Sequence, residues 1–312
     1  MKEQFTAPTF EWRWLQPRYW LTWLGIGLLF PLAYVPWQLR WWLGQQIGQV
    51  LYRYQTKRRA IVEINVERCY PHLSKADQQQ FTLKHLQHYA AALLDYSVLF
   101  FRSRTQIAKR VQMEIPSTFK EALDKHKPIM LLLGHSTWLE FAPLAIGLKY
   151  SAYGSYKPFS HPIFDWLVAS SRLKDVEFVI PREAGLLKLV RTLKPNLILI
   201  FLPDEDLGLK TSVMVPFMGQ PKATLTTPAR IAELSKAACF TSLAFFNEKT
   251  GQYEIKISEV LQPYPTGNTE ADALLLNQSL ATLIKYYPEQ YLWLMKLFKT
   301  QVDGANIYKS TH

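Results

Sequence analysis

Ile129-Met130-Leu131-Leu132-Leu133-Gly134-His135-Ser136-Thr137-Trp138-Leu139-Glu140 sets five apolar residues against an abrupt polar step. Five apolar residues ending at a glycine read as a buried strand. A helical pattern over 138–149 follows. Four further apolar runs repeat the design: Val176–Ile180, Leu197–Leu202, Phe240–Phe246 and Tyr253–Val260. Helical patterns over 163–174, 183–194, 226–237, 270–287 and 289–298 alternate with them. Strands that alternate with helices predict an α/β fold, a mostly parallel sheet flanked by helices on both faces. Upstream, 58–70 and 75–102 carry helical periodicity, as in Phe81, Leu86, Ala90 and Leu93. Ligands in such folds collect beyond the carboxyl ends of the strands. The residues after Leu133, Ile180 and Leu202 are therefore the ones to read for chemistry.

His135 and Glu140 are five residues apart. On one continuous helix they would point about 140° apart and never meet. With His135 on the loop and Glu140 in the first helical turn, they can. A carboxylate on one imidazole nitrogen fixes the tautomer and leaves the other nitrogen as a base. The competing reading is local: Thr137-x-x-Glu140 is a capping box, with Glu140 serving only the helix start. After Leu202 comes Pro203-Asp204-Glu205-Asp206-Leu207-Gly208. Those carboxylates could position a base or hold an arginine, or they could form a solvated turn. No His or Cys lies near enough in sequence to complete a metal set, so no metal is expected. Arg182 follows the strand that ends at Ile180. Arg172 ends the 163–174 helix, where a cation also complements the helix dipole. Lys222, just before a Thr-Pro helix start at 226–228, is a candidate anion contact.

Composition narrows the setting. Of 312 residues, 48% are hydrophobic and 20% charged, which excludes a disordered chain. Two cysteines exclude a disulfide scaffold and fit a reducing compartment. The net charge of +11 favours acidic partners. The basic residues are dispersed and no nucleic-acid motif is present, so no nucleic acid is expected. From Tyr19 to Leu39 there is no charge, and Trp20, Trp23, Tyr34 and Trp37 lie toward its ends. Twenty-one helical residues would span about 30 Å, the thickness of a bilayer's hydrocarbon core. Residues 1–40 are thus expected to form an N-terminal transmembrane or membrane-embedded helix, tilted or kinked by Pro31 and Pro36. The basic excess after it, Arg40, Arg53, Lys57, Arg58 and Arg59, places the catalytic domain, 41–312 with a helical lead-in over 41–105, on the cytoplasmic face. Residues 40–55 read either as an interfacial helix touching lipid through Trp41, Trp42, Ile47, Leu51 and Tyr54, or as an ordinary surface helix.

Taken together, these motifs resemble one family. The anchor, Asn65-Val66-Glu67-Arg68-Cys69-Tyr70-Pro71, the Gly134-His135-x4-Glu140 step, Tyr156-Lys157-Pro158, the run from Pro162 to Arg172, the 203–208 segment, and Pro288–Leu294 with Phe298-Lys299-Thr300 occur in the order and spacing of the late acyltransferases of lipid A biosynthesis. That family lies in the lysophospholipid acyltransferase superfamily. Glu140 in place of Asp, and Pro-Asp-x-Asp-x-Gly in place of Pro-Glu-Gly-Thr-Arg, separate the chain from the glycerol-phosphate branch. Met295-Lys296-Leu297 stands where the family tends to carry a His-Arg-Arg run. The resemblance implies transfer of a lauroyl- or myristoyl-type chain from acyl carrier protein to a 3-hydroxyacyl group of a phosphorylated, Kdo-bearing lipid A precursor, at the bacterial inner membrane and without a cofactor. It implies His135 as general base and Glu140 as the group that orients it. Arg172 is implied for the oxyanion or a phosphate, with Asp204 ordering the site by holding Arg172. Lys157 and Arg182 are implied as phosphate or sugar contacts. The nearest other readings are a glycerophospholipid acyltransferase and a non-catalytic membrane-anchored homologue.

Overall fold

The computed structural model of the chain describes residues 9–156, 158–181 and 185–309. Lys157 and Arg182 lie outside the described residues. The polypeptide begins with α1 (Trp20–Leu32), α2 (Trp37–Tyr54), α3 (Thr56–Cys69), α4 (Lys75–Phe101) and α5 (Arg104–Ala108). The sheet-bearing part follows: β1 (Val111–Glu114), α6 (Ser117–Asp124), β2 (Ile129–Leu133), α7 (Phe141–Gly147), β3 (Ala152–Tyr156), α8 (Pro162–Arg172), β4 (Phe178–Pro181), α9 (Leu186–Thr192) and β5 (Ile198–Phe201). It continues with β6 (Ser212–Phe217), β7 (Gln220–Leu225), α10 (Thr227–Ser235), β8 (Ala238–Asn247), β9 (Gln252–Ile257) and α11 (Thr269–Ile284).

Seven strands form one sheet in the order β1-β9-β8-β2-β5-β3-β4. Every neighbouring pair is parallel except β8 with β9. The mostly parallel sheet expected from the alternating runs is present. β6 and β7 form a separate antiparallel hairpin. β2 lies in the middle and is buried along its whole length. Successive side chains of a strand point to opposite faces, and β2 divides accordingly: Met130 and Leu132 join one hydrophobic cluster, and Ile129, Leu131 and Leu133 the other.

Two sequence expectations need correcting. The first is the 19–39 segment, expected as one membrane-spanning or membrane-embedded helix tilted or kinked at Pro31 and Pro36. α1 stops at Leu32 and α2 starts at Trp37, with Pro31 in the last turn of α1 and Pro36 at the start of α2. Proline lacks the N–H that would continue the ladder, and it biases the preceding residue away from helix. Thirteen residues reach only about 20 Å. Among the described residues no helix is long and apolar enough to cross a membrane. The second is the 289–298 helix. Only Pro288–Gln290 makes a helical turn. Beyond it the chain is irregular, with Tyr291, Trp293, Leu297 and Phe298 buried, so their helical spacing reports burial of a coil.

α2 packs on the domain along one face and leaves the opposite face exposed. Its inner face packs on α4 so closely that a Cβ on Gly44 would lie 2.5 Å from Ala91 Cα, and one on Gly48 2.4 Å from Gln87 Cα. Trp41 turns inward against His88 and Phe246. Trp42, Ile47, Val50 and Tyr54 stay exposed on the outer face. Arg40 is buried and its Nε donates to Asp95 at 2.7 Å. Asp95 also accepts from Trp138 Nε1 at 3.1 Å and from the Tyr253 hydroxyl at 3.0 Å. One satisfied carboxylate therefore ties α2 and α4 to β9 and to the residue that closes the His135 loop.

Candidate active site

The β2–β5 register determines which side chains meet beyond the sheet. Ile129 lies beside Ile198, and each later β2 residue beside the β5 residue with the same offset, as far as Leu132 beside Phe201. Continued past the strand ends, that offset of 69 residues sets His135 beside Asp204. The two are joined twice. The His135 backbone N–H donates to Asp204 Oδ2 at 2.7 Å, and ring Nδ1 lies 2.6 Å from Asp204 Oδ1. Gly134 permits this approach. A Cβ there would lie 2.8 Å from a Leu243 methyl and 3.4 Å from Asp204 Oδ2.

The pairing expected between His135 and Glu140 is therefore replaced. Asp204 fixes the imidazole, and Glu140 grips Arg172 instead. Arg172 Nε donates to Glu140 Oε2 at 2.9 Å, and its Nη2 donates to Oε1, a bidentate fork. Asp204 does not hold Arg172; the two carboxylates have exchanged the partners that the sequence assigned them. The physical reason is placement. Glu140 immediately precedes α7, where α8 delivers Arg172 from its last turn, whereas Asp204 follows the strand next to β2. Glu140 still adds its negative charge to the field at His135. The capping-box reading is not realised either: Glu140 makes no cap, and the buried Thr137 Oγ1 has no partner among the described residues.

The segment after α11 clamps the His135 loop. Tyr291 bridges to Ser136. Thr137 N–H donates to Gln290 O at 2.9 Å, and Leu292 N–H donates to His135 O at 3.0 Å. Tyr291 then donates its hydroxyl to Asp204 Oδ2 at 2.9 Å. Asn65, the first residue of the 65–71 motif, holds the next stretch, its Nδ2 donating to Trp293 O and Met295 O at 2.7 Å each. Asp206 ties down the chain further on, accepting from Thr300 N–H and Oγ1 at 2.6 Å each. Tyr291 was not singled out from the sequence; its place in the Pro288–Leu294 motif was the available signal. Lys222, read as an anion contact near a helix start, is instead fully buried on β7.

The electrostatics follow from burial and pairing. Burial opposes the charged imidazole, but the Asp204 charge and hydrogen bond outweigh it and hold the His135 pKa above its ordinary value. Burial likewise opposes the Asp204 anion, yet His135 and Lys222 keep its carboxyl below the usual range. The His135 side chain retains 15% exposure against 1% for Asp204. Its Nε2 has no hydrogen bond among the described residues. The arrangement is an oriented base with no partnered nucleophile. Ser136 Oγ donates to Ala244 O at 2.6 Å, and burial pushes the Cys69 thiol up to about 12 and the Cys239 thiol higher still. Among the described residues no group of His, Cys, Asp and Glu could hold a metal. Such a site is suited to removing a proton from a substrate hydroxyl.

Comparison with known proteins gives this geometry a context. A model of the family described as bacterial lipid A biosynthesis acyltransferase matches residues 7–300. The chain is 29% identical over 300 residues to a lipid A biosynthesis acyltransferase of Haemophilus influenzae, covering 96% of this chain and 94% of the relative. It is 28% identical to the lipid A biosynthesis lauroyltransferase of Escherichia coli, covering 96% and 97%. To the palmitoleoyltransferase of the same organism it is 27% identical, covering 97% and 98%.

Proposed function

The chain belongs to the bacterial lipid A biosynthesis acyltransferases and is an acyltransferase; from that premise we propose that it moves a secondary fatty acyl chain from acyl carrier protein to a 3-hydroxyacyl group of a Kdo-bearing lipid A precursor. The observation that carries this reading is the double hold of Asp204 on His135, which leaves Nε2 without a partner among the described residues.

In the proposed reaction, Nε2 takes the proton of the acceptor hydroxyl as its oxygen attacks the thioester carbonyl carbon. The carbonyl becomes a tetrahedral oxyanion. Its collapse breaks the C–S bond, and the imidazolium returns the proton to the leaving thiolate. Asp204 fixes the tautomer and stabilises the imidazolium. Arg172, steadied by Glu140, presents a fixed guanidinium to the oxyanion or to an acceptor phosphate. Lys157 and Arg182 supply further phosphate or sugar contacts. The positive net charge draws in both the acidic carrier protein and the phosphorylated acceptor.

The enzyme works at the cytoplasmic face of the bacterial inner membrane, seated in the plane of the interface. Exposed Trp20, Leu21, Leu24, Leu28 and Phe30 of α1, with Trp42, Ile47 and Val50 of α2, support this seating. The test of the reaction is a mass spectrum. Detergent-purified protein is incubated with mixed acyl carrier protein thioesters and the tetra-acylated, Kdo-bearing precursor, with His135→Ala as control. A gain of one acyl chain, absent in the control, is expected. No gain with this precursor or its penta-acylated form would overturn the reading.

A further inference from the structure

Lys222 is a lysine shut away from water, fully buried on the inner side of the β6–β7 hairpin. Its Nζ makes a single long hydrogen bond, 3.5 Å to Ala223 O, and stands 5.8 Å from the centroid of the Phe217 ring. Phe217 packs on Tyr291 at 5.9 Å between ring centroids, and Tyr291 donates its hydroxyl to Asp204. The ammonium is thus linked to Asp204 through the Phe217 and Tyr291 rings. The carboxylates within reach of its charge are Asp204 and Asp206, and among the described residues neither makes an ion-pair contact with it. A buried ammonium without close partners is costly, and burial lowers the Lys222 pKa while the Asp204 and Asp206 charges oppose that fall. Asp204 and Asp206 are buried as well, and buried carboxylates without a counter-charge tend to take up a proton. The three charges relieve one another.

We propose that Lys222 is a positioning residue for acyl transfer: its ammonium stands in for a proton that the Asp204–His135 pair would otherwise bind, and so keeps the imidazole free to act as a base. This rests on the general-base reading of His135. The groups facing the pair are Glu205 and Glu140 toward His135, and Tyr291 and Lys222 toward Asp204. Of these, Lys222 alone brings a positive charge, and Arg172, forked on Glu140, is the other cation of the site. Its removal leaves the carboxylates to draw a proton onto the pair at a higher pH than before.

The test compares the unaltered protein with Lys222→Met and Lys222→Arg. In Lys222→Met the acid limb of the kcat/KM profile moves up by about one unit, the order expected when a buried unit charge near a coupled pair is removed. Lys222→Arg keeps the charge and keeps the limb. Ring 15N NMR, with the His135 signal identified by its loss in His135→Ala, reads the same shift without using turnover. A fall in rate with both limb and ring titration unmoved would make Lys222 merely structural and overturn the proposal. Should Lys222→Met not fold, the 15N signal of Lys222 Nζ in the unaltered protein decides: an ammonium at neutral pH is expected, and a neutral amine would overturn it. Full activity of His135→Ala would sink the general-base reading alone, because the ring titration reads the Lys222 effect in either case.

Discussion

Asp204 holds His135 by two atoms at once, accepting the backbone N–H at one carboxylate oxygen and facing ring Nδ1 with the other. The backbone bond fixes where the residue sits, and the ring bond fixes which nitrogen is left for the substrate. Asp204→Asn retains the shape but offers an amide N–H to Nδ1, which favours the wrong tautomer. The expected result is a fall in kcat of about 10²–10⁴-fold with KM little changed. Steady-state kinetics on the purified variant measure it, and unimpaired turnover would remove Asp204 from the mechanism.

Glu140 and Arg172 act as one unit in this geometry, because the guanidinium is fixed by the bidentate fork. Glu140→Ala and Arg172→Ala should each lower kcat/KM, and the double variant should be no worse than the poorer single one. Non-additivity of this kind marks residues that work through a shared contact. A double-mutant cycle on kcat/KM is the measurement. Additive losses would show that Glu140 contributes separately, for instance through its charge at His135.

Much of this was legible in the sequence, and the gaps have a common cause. Ile129–Leu133 is β2 to the residue, because five apolar residues before a glycine have little other use. Leu197–Leu202 overlaps β5 within a residue at each end. Which carboxylate meets His135 was not legible. That depends on β2 and β5 being neighbours, although 69 residues separate His135 from Asp204, and no local pattern encodes adjacency. β3 was missed because Ala-Tyr-Gly-Ser-Tyr lacks an apolar run, though it sits between β5 and β4. The membrane arithmetic counted uncharged residues correctly, but Pro31 and Pro36, read as kinking a single helix, divide them into two helices.

The exposed face of α1 supports attachment to a lipid surface by side-chain burial without a span. Fully burying one leucine-sized side chain contributes about 1.5–3 kcal/mol. Replacing Trp20, Leu24 and Leu28 together by Asp should therefore weaken partition onto anionic vesicles by on the order of 10³-fold. Co-sedimentation with such vesicles reads this directly. Retention of the triple variant in the vesicle pellet would mean that α2 or another face carries the attachment.

Acid should destabilise this protein through two histidines that take no part in the proposed chemistry. His85 and His88 are buried on α4, and burial lowers their pKa values to about 4 and about 3. His85 Nδ1 lies 2.8 Å from Glu289 O, while His88 packs against the Trp41 and Trp138 rings. In the unfolded chain both take protons below about pH 6.5, and in the folded chain they do not. The stability they confer is complete above that value and is lost as pH falls toward the folded pKa values. Between pH 7 and 5 the loss is about 2 kcal/mol for each residue. His135 acts in the opposite sense. Its raised pKa stabilises the fold below the unfolded value, and that contribution disappears as pH rises through the folded one. Urea denaturation at pH 7 and pH 5 should show the net loss, and His85→Gln or His88→Gln should each remove about 2 kcal/mol of it. An identical pH dependence in the two variants and the unaltered protein would place the acid sensitivity elsewhere, with the paired carboxylates the next groups to examine.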